Sequence, residues 1–562
     1  ATSTPPTAHQ SGAPYGPQRP DQVSDSFGLL DILGHQDIRS EIVALLAVRG
    51  DNPSSSHARK TLWRLRRVSR AVCQLVASSL DGNFAFLPIT SRVHCDPVRL
   101  SSSTLVLATA RRLRLCSFPG AIPPWLDLNV AQLKSLFQSH DHLQDVWLPV
   151  STTEWGSLVD ALRELTLRRP TLSCKLQVTL LPNPHSKSPG LMPDEMRAML
   201  SSTDHVVALI VAGETNLMSP LPSLIAGDPV HPSAMVGIGN PFGHNTSLLS
   251  LDLSHCGLDA NGGSELGQAL RHNSTLISLR IAGNHQMTTG CADVASSLVA
   301  NSTLQSLDMG RNGFDGDSIA SAIAVNTNLL ALNLGYNPLA LPNIGRVGRA
   351  LRNNATLVSL HIHACGLGSK GGEFIGQALA ANSTLQSLVL SGNNLGADGG
   401  KHIAEGLGGN RCLLSLHLDD NGLRDAGVEP LARALIKNTT LVSLNISMNE
   451  IGAVGAHSVA DGLARNQGLQ LLDLSGNRVE GLGVILIGTA LKQNKSLCSL
   501  DLSLNGDIGA GVVMLGIALG VNSTLEVLAL SDNLQPDQLA MLQTATRRAG
   551  CTLSLSKPPS VE

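Results

Sequence analysis

A chain of 562 residues is too long for one compact core, so it forms either several domains or one elongated array. Its formal net charge is −3 and only 15% of its residues are charged, which argues against a surface that recruits nucleic acid or an anionic membrane. Only 2% of the residues are aromatic, which disfavours surfaces that bind bases or sugars by stacking.

Residues 1–26 are rich in Pro, Ser and Thr and are predicted to form a disordered tail. They lack the basic and then apolar pattern of a secretory signal. No stretch of the chain approaches the roughly 18 consecutive apolar residues that a membrane span needs. We therefore expect a reducing, cytoplasmic or nuclear setting without membrane insertion.

A small helical module is predicted next, over 27–88. Its first helix contains DIRSEIVALL (37–46), and its second helix, over 60–80, contains LWRLRRVSR (62–70). The module resembles an F-box, in which an acidic, leucine-rich helix precedes a helix of the form L-x-x-L-R-x-V-S/C-R. The resemblance implies docking on the Skp-type adaptor of a cullin ubiquitin ligase, here through Ile38, Ile42, Leu45, Leu65 and Val68.

The basic residues of the second helix leave another function open. They could form a basic face for a membrane surface, an acidic partner or nuclear import. The residues concerned are Arg59, Lys60, Arg64, Arg66, Arg67 and Arg70. An apolar stripe opposite such a face more often packs in a core, with the charges in solvent.

Weak repeats are predicted over 89–245. The apolar triplets at 113–115, 146–148, 176–178 and 209–211 are spaced by 33, 30 and 33 residues, as expected for irregular units. A Pro- and Gly-rich insertion at 219–243 predicts a loop.

Eleven regular repeats follow over 246–550. The sequence LLSLDLSHC (248–256) fits L-x-x-L-x-L-x-x-N/C, the leucine-rich-repeat pattern. Nine of the ten spacings between successive central leucines are 28 residues, and one is 25. These leucines are Leu251, Leu279, Leu307, Leu332, Leu360, Leu388, Leu416, Leu444, Leu472, Leu500 and Leu528.

Each repeat predicts a strand and a helix. Alternation in L-x-L directs the leucines inward and the residue between them outward. The second half of a unit, as in 451–466, has helical spacing, with Val459 and Leu463 inward and His457, Asp461 and Arg465 outward. We therefore predict an α/β solenoid, similar to the ribonuclease-inhibitor class, with a concave parallel sheet, convex helices and a C-terminal tail at 551–562.

Asparagines recur at two places in the repeat. The ninth position is predicted to bond backbone groups as the chain leaves the strand. It is occupied by Asn284, Asn312, Asn337, Asn393, Asn421, Asn449, Asn477, Asn505 and Asn533, with Cys256 and Cys365 as exceptions. The N-x-S/T triplets, such as Asn382-Ser383-Thr384, match glycosylation sites but are interpreted as part of the repeat.

The outward residues of the strands predict a polar, mildly acidic concave face for a protein partner. The larger side chains near its middle are the candidate contacts. They are Arg280, Arg311, Tyr336, His361, His363, His417, Asp419 and Asp420.

No catalytic residue, metal site or cofactor is predicted. His361 and His417 lie two repeats apart, about 9–10 Å in strand spacing, which is too far for one tetrahedral metal site. No Ser or Cys has a His and a carboxylate in register to activate it. The ten cysteines are scattered without a Cys-x-x-Cys pair.

Three functions remain open from the sequence. The first is a non-catalytic interaction protein whose repeats capture a protein, with the F-box-like module linking it to a ubiquitin ligase. The second is a scaffolding component of a large assembly without a ligase role. The third is a GTPase regulator, because Ran GTPase activators have the same repeat.

Overall fold

The computed structural model describes residues 242–339, 341–531 and 533–556, and five strands before them. The predicted tail at 1–26 and the helices of the F-box-like module lie outside the described residues, as does 219–241 of the predicted insertion. The adaptor-docking candidates that lie outside them are Ile38, Ile42, Leu45, Leu65 and Val68.

Seventeen described strands form one parallel sheet, each strand pairing with the next in chain order. The first five, among which are all four predicted irregular triplets, are β1 Phe84–Pro88, β2 Arg112–Cys116, β3 Asp145–Ser151, β4 Ser173–Leu180 and β5 Val206–Val211. The other twelve are β6 Ser250–Asp252, β7 Ser278–Arg280, β8 Ser306–Asp308, β9 Ala331–Asn333, β10 Ser359–His361, β11 Ser387–Val389, β12 Ser415–His417, β13 Ser443–Asn445, β14 Leu471–Asp473, β15 Ser499–Asp501, β16 Val527–Ser531 and β17 Thr552–Ser556.

Eleven described helices alternate with the strands from β6 onward and pack side by side. They are α1 Ala260–His272, α2 Thr288–Ser297, α3 Asp317–Val325, α4 Leu341–Asn353, α5 Gly368–Ala381, α6 Gly396–Gly409, α7 Arg424–Lys437, α8 Ala453–Arg465, α9 Glu480–Leu491, α10 Gly509–Leu519 and α11 Pro536–Ala549. The alternation confirms the predicted leucine-rich-repeat solenoid. None of the described helices is both long and apolar enough to cross a membrane.

The core lies between the sheet and the helices. The central leucines are in register, with Leu251 opposite Leu279 and Leu279 opposite Leu307, and all three are almost completely buried. In α8, Val459 and Leu463 are buried while Asp461 is exposed, as the helical spacing predicts. Each unit therefore buries its apolar side chains against its neighbours.

Buried asparagines at the ninth repeat position form a ladder of hydrogen bonds from repeat to repeat. This inner ladder stabilises the turns that follow the strands. In Asn421, Nδ2 donates to the carbonyl oxygens of Leu390 and Leu418 at 3.0 and 2.9 Å. Its Oδ1 accepts the backbone N–H of Asn393 at 3.0 Å, and its own N–H donates to Asn449 Oδ1. The prediction for the ninth position is thus confirmed, and in the exceptional repeat Cys365 Sγ contacts the equivalent carbonyl oxygen of Leu334.

A second ladder lies where each helix ends, formed by the N-x-S/T asparagines and, in repeats without such a triplet, by the asparagine at the same position, such as Asn410. Asn410 Nδ2 donates to the carbonyl oxygens of Leu379 and Asn382 at 2.8 and 3.1 Å. Its Oδ1 accepts the N–H groups of Cys412 and Leu413 at 2.9 and 2.8 Å. Asn382, in an N-x-S/T triplet, makes the same bonds: its Nδ2 donates to the carbonyl oxygens of Leu351 and Asn354, and its Oδ1 accepts the N–H groups of Thr384 and Leu385. The triplet asparagines are buried and hydrogen-bonded as part of the repeat.

The C-terminal end differs from the prediction in two respects. Residues 552–556 form strand β17, paired with β16, where a tail is expected, because Leu553 and Leu555 continue the L-x-L alternation and pack against the core. Asn533 is exposed and does not extend the inner ladder. Strand β16 continues to Ser531, whose hydroxyl accepts the N–H of Leu504.

We predict that Asn410→Ala lowers the free energy of unfolding by about 3 kcal/mol, because it leaves buried carbonyl and N–H groups of two repeats without partners. Asn353→Ala, at an exposed asparagine in the last turn of α4, is the matched control and should change stability little. Urea denaturation followed by circular dichroism measures both. Equal effects would contradict a structural role for the ladder.

The concave sheet as a candidate binding face

Three outward residues per strand line the concave face. Strands β6 to β16 show the expected burial pattern, with the central leucine buried and its two neighbours partly exposed, except in β10, where all three residues are buried. The mid-strand column contains Asp252, Arg280, Asp308, Asn333, His361, Val389, His417, Asn445, Asp473, Asp501 and Ala529. The eight predicted contact residues all lie in this face or at its rim, but they form separate groups.

Arg280 lies between two carboxylates on neighbouring strands. Its guanidinium is 3.7 Å from Asp252 on β6 and 4.0 Å from Asp308 on β8. Burial raises the pKa of Asp308, and the positive charge of Arg280 opposes that rise. Arg280 therefore offsets part of the negative charge of these two carboxylates.

Arg311, Tyr336 and His363 form one stack across three repeats. The Arg311 guanidinium carbon lies 4.0 Å above the centre of the Tyr336 ring. The His363 ring packs edge-on against the Tyr336 ring, with 4.9 Å between the two ring centres. Gly335 makes room for the stack, because a β-carbon there would overlap the His363 ring. The stack gives the face a partly exposed aromatic and cationic platform.

The concave histidines are uncharged at neutral pH. Burial lowers the pKa of His361 to about 3, with His363 and His417 adding repulsion, and burial with Arg311 lowers that of His363 to about 4. The pKa of His417 is also lowered by burial. Among the described residues, no group of His, Cys, Asp and Glu is arranged to hold a metal ion.

Four aspartates form an acidic tract from β12 to β15: Asp419, Asp420, Asp473 and Asp501. Asp419 accepts bonds from Ser391 Oγ at 2.7 Å and Asn445 Nδ2 at 3.1 Å. Burial, and then repulsion by Asp501, raises the pKa of Asp473 to about 6. Burial and Asp419 likewise raise the pKa of Asp420.

The mid-strand Asp and Asn residues have a local role that periodicity does not reveal. The Oδ1 atom of Asp473 accepts the backbone N–H of Ser475 at 2.8 Å, and Asn445 accepts that of Ser447 at 2.9 Å. The same bond occurs at Asp252, Asp308, Asn333 and Asp501. The signal that could have found it is the preference of Asp and Asn for bonding a backbone group two residues on.

The rim position four residues after the central leucine has a left-handed backbone, which the repeat pattern does not predict. Gly283, Gly392 and Gly476 occupy it in three repeats, but Arg311, Tyr336 and Met448 adopt the same conformation, with φ between 54° and 58°. Met448 is 62% exposed and was not among the predicted contacts. The rim thus projects large side chains from positions that favour glycine.

The described cysteines are poor nucleophiles. Burial raises the pKa of Cys256, Cys291 and Cys365 to about 12, so these thiols are protonated at neutral pH. The geometry of the concave face suits hydrogen bonding and charge pairing over a broad area rather than covalent chemistry.

Comparison with known proteins agrees with this fold. The Leucine Rich repeat family model matches 244–267, 300–324, 381–404, 409–432 and 437–460. The matches and the stacked strand–helix units show that the chain is a leucine-rich-repeat protein, and such repeat domains are typically not catalytic. No curated protein sequence matches the chain.

Two solved structures illustrate the similarity. Rad7, from the yeast Rad7–Elc1 complex, is 16% identical, with a TM-score of 0.40, over 72% of this chain and 88% of that chain. The second actin-binding site of leiomodin-1 is 19% identical, with a TM-score of 0.25, over 27% of this chain and 88% of that chain.

We predict that Asp473→Asn stabilises the fold by about 2 kcal/mol at pH about 7.5 and has little effect near pH 4. The folded-state pKa of Asp473, about 6, lies above its ordinary 3.8, so the wild type gains stability as the pH falls through this window. The asparagine has no charge to lose and keeps the acceptor for Ser475. Thermal unfolding at both pH values measures the difference.

The control is Asp461→Asn, at an exposed carboxylate of α8 that pairs with Arg465. This variant should be no more stable than the wild type at either pH. A stabilisation of Asp473→Asn that is the same at both pH values would contradict the assignment of the effect to this titration.

Proposed function

We propose that this protein binds another protein in the hollow of its solenoid and catalyses no reaction. The observation that carries the proposal is the continuous concave sheet, whose outward side chains are polar and partly exposed over many consecutive strands. Such a surface fits a broad partner surface, with Arg311, Tyr336 and Met448 as the large side chains at its rim.

The interior of the solenoid gives little support to a second possibility, that the protein binds a small molecule. A cavity lined by Leu351, Ile375 and Leu388 lies between helices and sheet, and it has room for about one water molecule. Its lining is the same leucine core that every repeat shares. The concave side chains therefore remain the better candidates for recognition.

We further propose that the F-box-like module at 27–88 links the bound protein to a cullin ubiquitin ligase. Support comes from its sequence pattern and from its position before the repeats.

Under the scaffolding alternative, the module binds no adaptor. The GTPase-regulator alternative requires stimulated GTP hydrolysis that depends on an exposed arginine, for which Arg311 is the concave candidate.

For the concave face, we expect a photoreactive benzoylphenylalanine at Val389 to cross-link a discrete partner in living cells. The same residue at Val299, which lies at the end of α2 and is 57% exposed, is the matched control and should give no such product. Mass measurement of the cross-linked band and competition by unlabelled full chain check specificity. Equal products from both positions, or none from Val389, would reject the proposed function.

For the module, we expect the full chain to retain a purified Skp-type adaptor in a pull-down and Leu45→Arg to abolish retention, because a charge would disrupt an apolar contact. Ser40→Ala, in the same predicted helix, is the control and should retain the adaptor. Absence of binding by the unaltered chain would favour the scaffolding alternative.

A further inference from the structure

Charge is distributed unevenly along the concave face. Between β6 and β9 the charges balance, because Arg280 and, at the rim, Arg311 offset the two carboxylates of Asp252 and Asp308. Between β12 and β15 the acidic tract has no such compensation: none of its four carboxylates forms an ion pair with a described lysine or arginine. The exposed pair between Arg424 and Glu450 is already neutral.

The local backbone does not require these negative charges. Asn445, on the strand between two members of the tract, accepts the same backbone bond as Asp473 with a neutral amide. Asp473 and Asp501 instead face one another on paired strands, where their repulsion opposes folding. Residues that reduce stability without serving the fold are typical of surfaces selected for binding.

We infer that the acidic tract docks a basic patch of a folded partner protein and thereby fixes the direction in which that partner lies along the hollow. The inference rests on the proposed function and adds the chemistry of the partner. The four strands of the tract span about 14 Å at the usual strand spacing, enough for two or three lysine or arginine side chains. The balanced end around Arg280 offers such a patch no equivalent site, so a reversed orientation is disfavoured.

The test uses the folded full chain and fluorescein-labelled decalysine as the probe, with fluorescence anisotropy at about 50 mM NaCl. Asp473→Asn with Asp501→Asn removes two charges and keeps both backbone acceptors. Glu429→Gln with Asp461→Asn removes two charges from the outer helices α7 and α8. We expect the concave pair to raise the Kd about tenfold or more, and the outer pair to change it less than about twofold.

Two results would overturn the inference. Equal weakening by both pairs would mean that decalysine responds only to net charge, and an unchanged Kd for the concave pair would mean that the tract does not bind it. A decaglutamate probe should not bind to any of the variants. If Val389 still cross-links a partner while the concave pair binds decalysine normally, only this inference fails; loss of the cross-link rejects the proposed function itself.

Discussion

The structure depends on buried asparagines that complete the hydrogen bonds of the turns. A buried backbone group without a partner costs about 1–3 kcal/mol, and every repeat buries several such groups in each of its two turns. Asn421 serves carbonyl groups of its own repeat and of the preceding one, and its own N–H depends on the next repeat. A unit therefore lacks partners for its polar groups, as well as cover for its leucines, until both neighbours are in place.

The one repeat of irregular length shows which part of the unit is constrained. The unit that contains α3 is three residues shorter than the others, and this helix has nine residues. Both ladders nevertheless continue through it: Asn326 Nδ2 reaches the carbonyl oxygen of Asn301 at 3.1 Å, and Asn337 Oδ1 accepts the N–H of Asn312 at 3.0 Å. Length varies in the convex helix because its exposed side has no fixed partner, whereas the turns cannot shift without losing buried bonds.

Periodicity was sufficient to predict the strands, the inward leucines and the role of the inner asparagines, since each follows from a pattern repeated along the chain. It failed at the end of the regular series, where Asn533 is exposed and 552–556 form strand β17. For the concave face it identified the outward columns but not the grouping of Arg311, Tyr336 and His363. That grouping depends on side-chain conformations and on the space left by Gly335, which no spacing rule encodes.

At the rim position four residues after the central leucine, some side chains are not required by the fold. A left-handed backbone costs a residue other than glycine about 1–2 kcal/mol, and Gly283, Gly392 and Gly476 avoid that cost at this position. Arg311 and Met448 occupy the same position in other repeats, and the ladder asparagine that follows each of them holds the turn in this conformation. Since glycine would suit the turn better, the turn does not require these large side chains, and their exposure at the edge of the hollow is why they belong to the proposed binding face.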